Sequence, residues 1–266
     1  MRERALGSRG PLDRKRGGGR GALPGASDVV EGGDVVRFPE WGRRPREGDA
    51  AQAAREGSGM SARSCEVEAD CGARTLREDL EQRVALATPS DTVRGGFFLG
   101  ALEEVRASVG EAGVRQCVEA GGEPRFVEFF NYPVGTWLRV SEVAARLMAP
   151  ECGSWEEAQR RLGRRAKVDL LRSATGRALQ LVSRDEPRGL VANLPSAYRA
   201  AVNYGERTVV WEGLSRGRVI MRRDFMPCAF HEGVLLAVLE GMKVRGVEVR
   251  GLRVGVLDAE YLIAWE

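Results

Sequence analysis

Residues 208–266 read TVVWEGLSRGRVIMRRDFMPCAFHEGVLLAVLEGMKVRGVEVRGLRVGVLDAEYLIAWE. Two short alternating runs rich in β-branched residues, Thr208 to Glu212 and Arg218 to Arg223, flank Gly213-Leu214-Ser215-Arg216-Gly217. That spacing predicts a hairpin with a five-residue loop. Phe230 to Met242 is nearly all apolar, with Val234, Leu235, Leu236, Val238 and Leu239, so it reads as a helix buried on more than one side and lying on the sheet. Val247 and Val249 share one parity, whereas Leu252, Val254 and Val256 share the other, which predicts a β-bulge at Gly251. Tyr261, Ile263 and Trp265 then alternate with Glu260, Leu262 and Ala264 in a terminal strand. Hairpin, helix, hairpin gives a four-stranded, mainly antiparallel sheet with one crossover helix. With N-terminal helices packed on one face, the fold class is α+β.

Upstream, the hydrophobic period is helical. A short helix spans about Leu76 to Leu86 and ends before Pro89, after which Ser90-Asp91-Thr92 offers caps for the stripe Phe97, Phe98, Ala101, Leu102, Val105, Val109. A further helix runs from Glu111 to Ala120, and another follows Pro133, with Val134, Trp137, Leu138, Ala144, Ala145 and Met148 three and four apart, ending near Pro150. Ser154 caps a helix from Trp155 whose period continues through Ala166, Leu170 and Leu171 to about Ser183. Between these lie Phe126, Phe129 and Phe130, an aromatic group that is core, pocket wall or subunit interface.

Residues 1–59 differ in kind. They hold 13 of the 34 Gly and 4 of the 11 Pro and show neither a helical nor a strand period, so they read as a disordered tail or as leader from a start placed upstream of Met60. Residues 60–89 form a short helical lead-in, and 90–266 a single α+β domain. Of 41 cations 38 are Arg, which GC-rich codon usage explains without function, and against 38 acidic residues the net charge is only +3. A nucleic-acid partner is not expected from so balanced a chain. No apolar run is long enough for a membrane span. The five cysteines, at 65, 71, 117, 152 and 228, contain no C-x-x-C pair and no even disulfide framework, and the start lacks a secretory apolar segment, so a reducing cytoplasm is expected.

Candidate chemistry is sparse. His231, the only histidine, follows Cys228 by three residues, a spacing that suits a shared metal or a nucleophile and base. Two ligands do not complete a site, and a hydrogen-bonded structural histidine is the simpler reading. Asp258 and Glu260 read as a solvated turn and edge rather than paired catalytic carboxylates. Tyr198, Arg199, Tyr204 and Arg207, followed by Arg222-Arg223-Asp224, gather cations and phenols near the first hairpin. They either clamp a ligand carboxylate or phosphate or pair with Glu206 and Asp224 across the hairpin. Gly95-Gly96 lacks the spacing of any phosphate loop.

The strings Asp91-Thr92-Val93-Arg94-Gly95-Gly96-Phe97-Phe98, Arg125-Phe126-Val127-Glu128-Phe129-Phe130-Asn131-Tyr132-Pro133, Leu194-Pro195-Ser196-Ala197-Tyr198-Arg199, Tyr204-Gly205-Glu206-Arg207 and Arg222-Arg223-Asp224-Phe225-Met226-Pro227 resemble a paralogous family of unknown function expanded in myxobacteria. The closing unit, with His231-Glu232-Gly233 opening its helix, resembles the 4-vinyl-reductase-type domain, which shares a fold with haem-nitric-oxide sensors and with a palmitoyl-holding trafficking subunit. That resemblance implies a small-molecule or lipid sensor rather than a catalyst. The cysteines that 4-vinyl-reductase-type domains carry beside the last strands are absent from Gly255-Val256-Leu257-Asp258-Ala259-Glu260. The Tyr-x-Ser-x-Arg haem clamp is likewise not reproduced by Tyr204-Gly205-Glu206-Arg207. Neither a metal nor another cofactor is therefore assigned.

The resulting expectation is a ligand-binding or sensory module with an apolar pocket formed by Phe97, Phe98, Phe129, Phe130, Trp137, Tyr198, Arg199, Tyr204 and Arg207. Its partner would be a small apolar ligand or lipid, and a homodimer is expected from the helical face. The competing class is a protein interaction module without ligand. Enzymatic activity has no assembled acid, base and nucleophile behind it.

Overall fold

The structure, a computed structural model, describes residues 75–172 and 186–266. The expectations for residues 1–59 and for the helical period beyond Arg172 lie outside them. In chain order the elements are α1 (75–86), β1 (Thr92–Arg94), α2 (Gly95–Val109), α3 (Glu111–Gly121), β2 (Asn131–Pro133), α4 (Val134–Cys152) and α5 (Trp155–Arg172). After residue 185 come α6 (Pro187–Ala192), α7 (Leu194–Ala201), β3 (Glu206–Trp211), β4 (Arg216–Arg222), α8 (Cys228–Glu240), β5 (Glu248–Arg253) and β6 (Ala259–Ala264).

The C-terminal sheet is antiparallel throughout, in the order β3-β4-β6-β5, with α8 crossing between β4 and β5. Its register pairs odd with odd residues across all four strands, as in Val209↔Val219, Val219↔Tyr261 and Gly251↔Tyr261. Val219, Met221, Tyr261 and Ile263 are buried on that odd-numbered face. On the even face Arg218 and Arg222 meet Glu260, so Glu260 sits on an interior strand in ion pairs rather than on a solvated edge.

No bulge interrupts β5, because its pairing to β6 is continuous from Glu248↔Ala264 to Arg253↔Ala259. Gly251 is instead a point of close approach. A Cβ there would lie 3.1 Å from the Cys228 Cβ and from Glu232 Oε1, and the Gly251 N–H donates to Glu232 Oε1 at 2.7 Å. The parity change arises because Leu252 turns to the other face, not because the register slips.

Buried residues run consecutively from Ala229 to Leu235 because α8 is covered by the sheet on one side and by α5 on the other. The α5 crossing is backbone against backbone. A Cβ at Gly163 would fall 1.9 Å from the Phe230 carbonyl oxygen, and one at Gly233 would fall 2.0 Å from that of Arg160. Around the crossing, α5 spends its arginines on neighbours: Arg160 pairs with Glu232 of α8, Arg161 with Glu104 of α2 and Glu151 of α4, and Arg164 with Glu240 of α8.

At the other end of the helical layer, β1 and β2 form a two-stranded antiparallel ribbon. Thr92 therefore starts a strand rather than capping α2, whose first turn has no side-chain cap. Asp91 closes the preceding turn by accepting from the Thr88 N–H at 2.8 Å and accepts both terminal N–H groups of Arg223, at 2.6 and 2.9 Å. That fork ties the ribbon to the end of β4. Ser154 caps α5 through the Glu157 N–H, and Pro150 lies inside the last turn of α4, which runs on to Cys152. Phe98 stacks on Phe126 at 4.3 Å and meets Tyr132 and Trp137 at 5.3 and 5.0 Å, so Phe98, Phe126 and Tyr132 are core and the buried Trp137 packs against them. Among the described residues no helix is long and apolar enough to cross a membrane.

The crossing yields a paired prediction. Gly163→Ala and Gly233→Ala should each cost about 3 kcal/mol or more, since neither backbone can yield to a methyl group without parting the helices. Gly135→Ala, whose Cβ would meet nothing nearer than 3.8 Å, should be neutral or stabilising by up to about 1 kcal/mol. Denaturant titration of the three variants checks both halves; equal effects at all three would sink the close-approach account.

Candidate functional site

Between the C-terminal half of α5, the short helices α6 and α7, and α8 lies a cavity of about 80 Å³. Its walls are predominantly apolar: Ala166, Leu170, Leu190, Leu194, Ala197, Ala201, Phe230, Val234 and Val238, with Phe97 and Trp137 from the helical layer. The polar lining groups are Tyr198, Tyr204, Arg207, Asp224 and His231, together with Lys167 and Asn193. The arrangement of the charged end follows from the chain path, since β3 delivers Arg207 on its inward face, the turn after β4 delivers Asp224, and the first turn of α8 delivers His231.

Tyr198, Tyr204, Arg207, Asp224 and His231 form one buried network. His231 Nε2 donates to Asp224 Oδ1 at 2.7 Å, while Nδ1 is hydrogen-bonded to the Tyr198 hydroxyl at 2.9 Å. The other carboxylate oxygen of Asp224 pairs with Arg207, and the Met226 N–H donates back to Asp224 at 3.0 Å. The side chains of Arg207 and Asp224 are each only 4% exposed, so the ion pair is withdrawn from water. Arg207 is also held between rings, 5.0 Å from the Tyr198 centroid and 5.4 Å from that of Tyr204.

Electrostatics follow the geometry. Burial works to raise the Asp224 pKa, but His231, Arg207 and the Met226 N–H overcome it and hold the carboxyl below the usual carboxylate range. Burial, reinforced by Asp224, pushes the Tyr198 phenol well above its ordinary range, and Tyr204 moves the same way for the same reasons. The site therefore presents a carboxylate, a guanidinium and two neutral phenols at neutral pH. Such an arrangement can orient a polar group at one end of an otherwise apolar space.

Of the residues singled out in the sequence, Phe97, Trp137, Tyr198, Tyr204, Arg207 and His231 line the cavity. Phe98 is core, and Phe129 and Phe130 are 75% and 63% exposed on the turn before β2, away from the cavity lining. Arg199 is exposed and donates to Ser196 Oγ. Cys228 lies one turn before His231 on α8; its thiol is hydrogen-bonded to Tyr261 and burial raises its pKa, while both ring nitrogens of His231 are engaged by Tyr198 and Asp224. Among the described residues no group of three His, Cys, Asp or Glu is placed to hold a metal ion. Of the two readings of the hairpin cations, pairing describes Arg207 with Asp224, whereas Arg222 turns to Asp258 and Glu260, and Arg223 to Asp91. Asp224, the centre of the network, was legible only as a partner for those arginines. The apolar members Ala197, Leu194 and Val234 carried no signal beyond helical periodicity.

A family model described as "Protein of unknown function (DUF2378)" matches residues 86–266, and the chain belongs to that family. No curated protein matches. Among solved structures, the Fe(II) unliganded H-NOX protein from K. algicida is similar with a TM-score of 0.52 at 13% identity, over 65% of this chain and 96% of that one. The H-NOX protein from S. oneidensis in the Fe(II)NO ligation state gives 0.50 at 13% identity, over 65% and 99%. At such identity the likeness is one of fold. An iron centre does not fit the residues present: the chain's single histidine has both ring nitrogens engaged, and among the described residues no cysteine lines the cavity.

Two buried carboxylates with depressed pKa values dominate the acid response. Asp91 is held low chiefly by the Arg223 hydrogen bond, against burial and with Thr88 assisting, and Asp224 is low as described. A depressed folded-state pKa means that the unfolded chain binds more protons as pH falls below about 3.9, so both contributions are complete above that value and are lost progressively below it. Asp91→Asn should therefore lower stability at neutral pH and make its fall below about pH 4 shallower than in the parent chain. Asp224→Asn, which leaves Arg207 buried without its counter-charge, should cost about 3 to 5 kcal/mol at neutral pH. Denaturant midpoints measured across pH check both; an unchanged acid slope in Asp91→Asn would contradict the assignment.

Proposed function

We propose that this DUF2378 member is a ligand-binding sensory domain that holds a small apolar molecule in the cavity between α5, α7 and α8, with the Tyr198–His231–Asp224–Arg207 network closing its polar end. The observation that carries this reading is the cavity itself. Leaving about 80 Å³ unfilled costs about 2 kcal/mol at 24 cal/mol per Å³, a sizeable share of a typical folding free energy of about 5 to 15 kcal/mol. A larger residue at Ala197 would fill it. The H-NOX proteins of the same fold, one of them solved in its Fe(II)NO ligation state, support a sensory domain class. The buried ion pair supports a fixed rather than a collapsible wall, because neither partner can leave the other without stranding a charge.

A second reading, an interaction module that pairs two copies of the chain, draws on Phe129 and Phe130. These exposed rings sit on a turn pinned to α2 by the Gly95 N–H donating to the Phe130 carbonyl and the Gly96 N–H to that of Glu128, at 2.7 and 3.0 Å. On that reading Phe129→Ser with Phe130→Ser turns a self-associated chain into a folded monomer by sedimentation, and an unchanged sedimentation coefficient removes it.

The ligand reading is tested by native mass spectrometry of the purified chain together with saturation-transfer NMR using cyclopentane as an apolar probe. The expected result is cyclopentane binding in the parent chain and its loss in Ala197→Leu, with the circular dichroism spectrum retained. A parent chain that carries no adduct and takes up no cyclopentane would overturn it.

A further inference from the structure

Of the three guanidinium nitrogens of Arg207, one makes no hydrogen bond within the network. One terminal nitrogen donates to the Tyr204 carbonyl and the other to Asp224, but the Nε–H is buried and has no partner among the described residues. The side chain is 4% exposed and lines the cavity. A guanidinium N–H withdrawn from water and left unbonded carries its full desolvation penalty, which a ligand atom able to accept would remove.

We propose that the cavity selects a short apolar molecule bearing a single neutral carbonyl oxygen, which accepts the Arg207 Nε–H. This rests on the reading of the cavity as a ligand site and specifies what that ligand must carry. Charge decides the head group. Asp224 already balances Arg207, and Lys167, the other cation of the lining, is drawn to Glu240 with its ammonium beside Gly241 at the end of α8. A ligand carboxylate at Arg207 would therefore be a second negative charge beside a buried first one, whereas a carbonyl brings an acceptor without a charge. Size decides the body. At about 80 Å³ the space is roughly half that of the engineered 150 Å³ cavity that holds benzene, so the apolar part is a small ring or a short chain. Ala197, Leu194, Val234 and Phe230 offer such a body apolar contact, while Lys167 and Asn193 complete the lining.

The full chain is titrated with cyclopentanone, with methylenecyclopentane, which has the same shape but no acceptor, and with cyclopentanecarboxylate. Arginine Nε–H resonances are followed by NMR, that of Arg207 being identified by its absence in Arg207→Lys. Cyclopentanone should bind at least about tenfold more tightly than methylenecyclopentane and shift the Arg207 Nε–H signal, since the hydrocarbon leaves that donor unpaired. Arg207→Lys, which keeps a cation for Asp224 but has no Nε–H, should lose the preference. Equal binding of ketone and hydrocarbon, or an unmoved Arg207 resonance on saturation with ketone, overturns the carbonyl assignment while leaving the apolar site intact. Tighter binding of the carboxylate overturns it in favour of an anion site. Failure of all three probes to bind removes the ligand site and this assignment together. Should Arg207→Lys not fold, the affinity ratio in the unaltered chain decides.

Discussion

The contact of α5 with α8 through Gly163 and Gly233 sets the geometry on which the rest depends. Because each glycine lies where a Cβ would strike the other helix's backbone, the two axes approach as closely as main chains allow. This places α8 deep in the molecule, with the sheet against its other side, and it explains why residues 229–235 are buried in sequence although a helix normally buries one stripe. His231 and Glu232, on successive positions beside Gly233, are then committed in different directions. His231 meets Asp224 and Tyr198 at the cavity, and Glu232 meets Arg160 of α5 and the main chain of β5.

A chain that packs two helices so tightly at their crossing nevertheless leaves a void further along the same pair. Beyond Gly163, α5 presents Ala166 and Leu170, α8 presents Val234 and Val238, and α7 presents Ala197 and Ala201, small or medium side chains that do not reach across. The charged end is built differently. Arg207, Asp224 and His231 come from a strand, a turn and a helix far apart in sequence, and their mutual hydrogen bonds compensate burial that none would survive alone. The cavity thus has soft apolar walls and a stiff polar end, an asymmetry that suits orientation of a ligand more than proton transfer. Tyr198, held neutral by burial, and Asp224, held ionised, both sit far from the pH at which either would exchange a proton readily.

The fold was legible because its signals are local. Alternation in β3, β4 and β6, the all-apolar helix and the order hairpin, helix, hairpin specify the antiparallel sheet with its single crossover. Gly251 misled because a glycine in a strand marks either a bulge or a close approach, and parity alone does not distinguish them; Glu232 and Cys228 of α8 supply the approach. The β1–β2 ribbon escaped notice because three-residue strands have no period to read, and their partners are far apart in the chain. For the site, the aromatic and cationic residues were visible by type. Their division into cavity (Phe97, Trp137), core (Phe98) and exposed turn (Phe129, Phe130) is tertiary, since neighbours in sequence were sent to different surroundings. Asp224 shows the same limit: only folding brings it between Arg207 and His231.

The central claim is that the apolar space bounded by α5, α7 and α8 accepts a guest while the polar network stays in place. A crystal structure of the chain under xenon pressure tests it most directly, because xenon enters dry apolar cavities without needing a hydrogen-bond partner. The account predicts xenon density among Ala197, Val234 and Val238, with the His231–Asp224 and Tyr198–His231 hydrogen bonds unchanged. Density absent from that space, or side chains collapsed into it, would contradict the account.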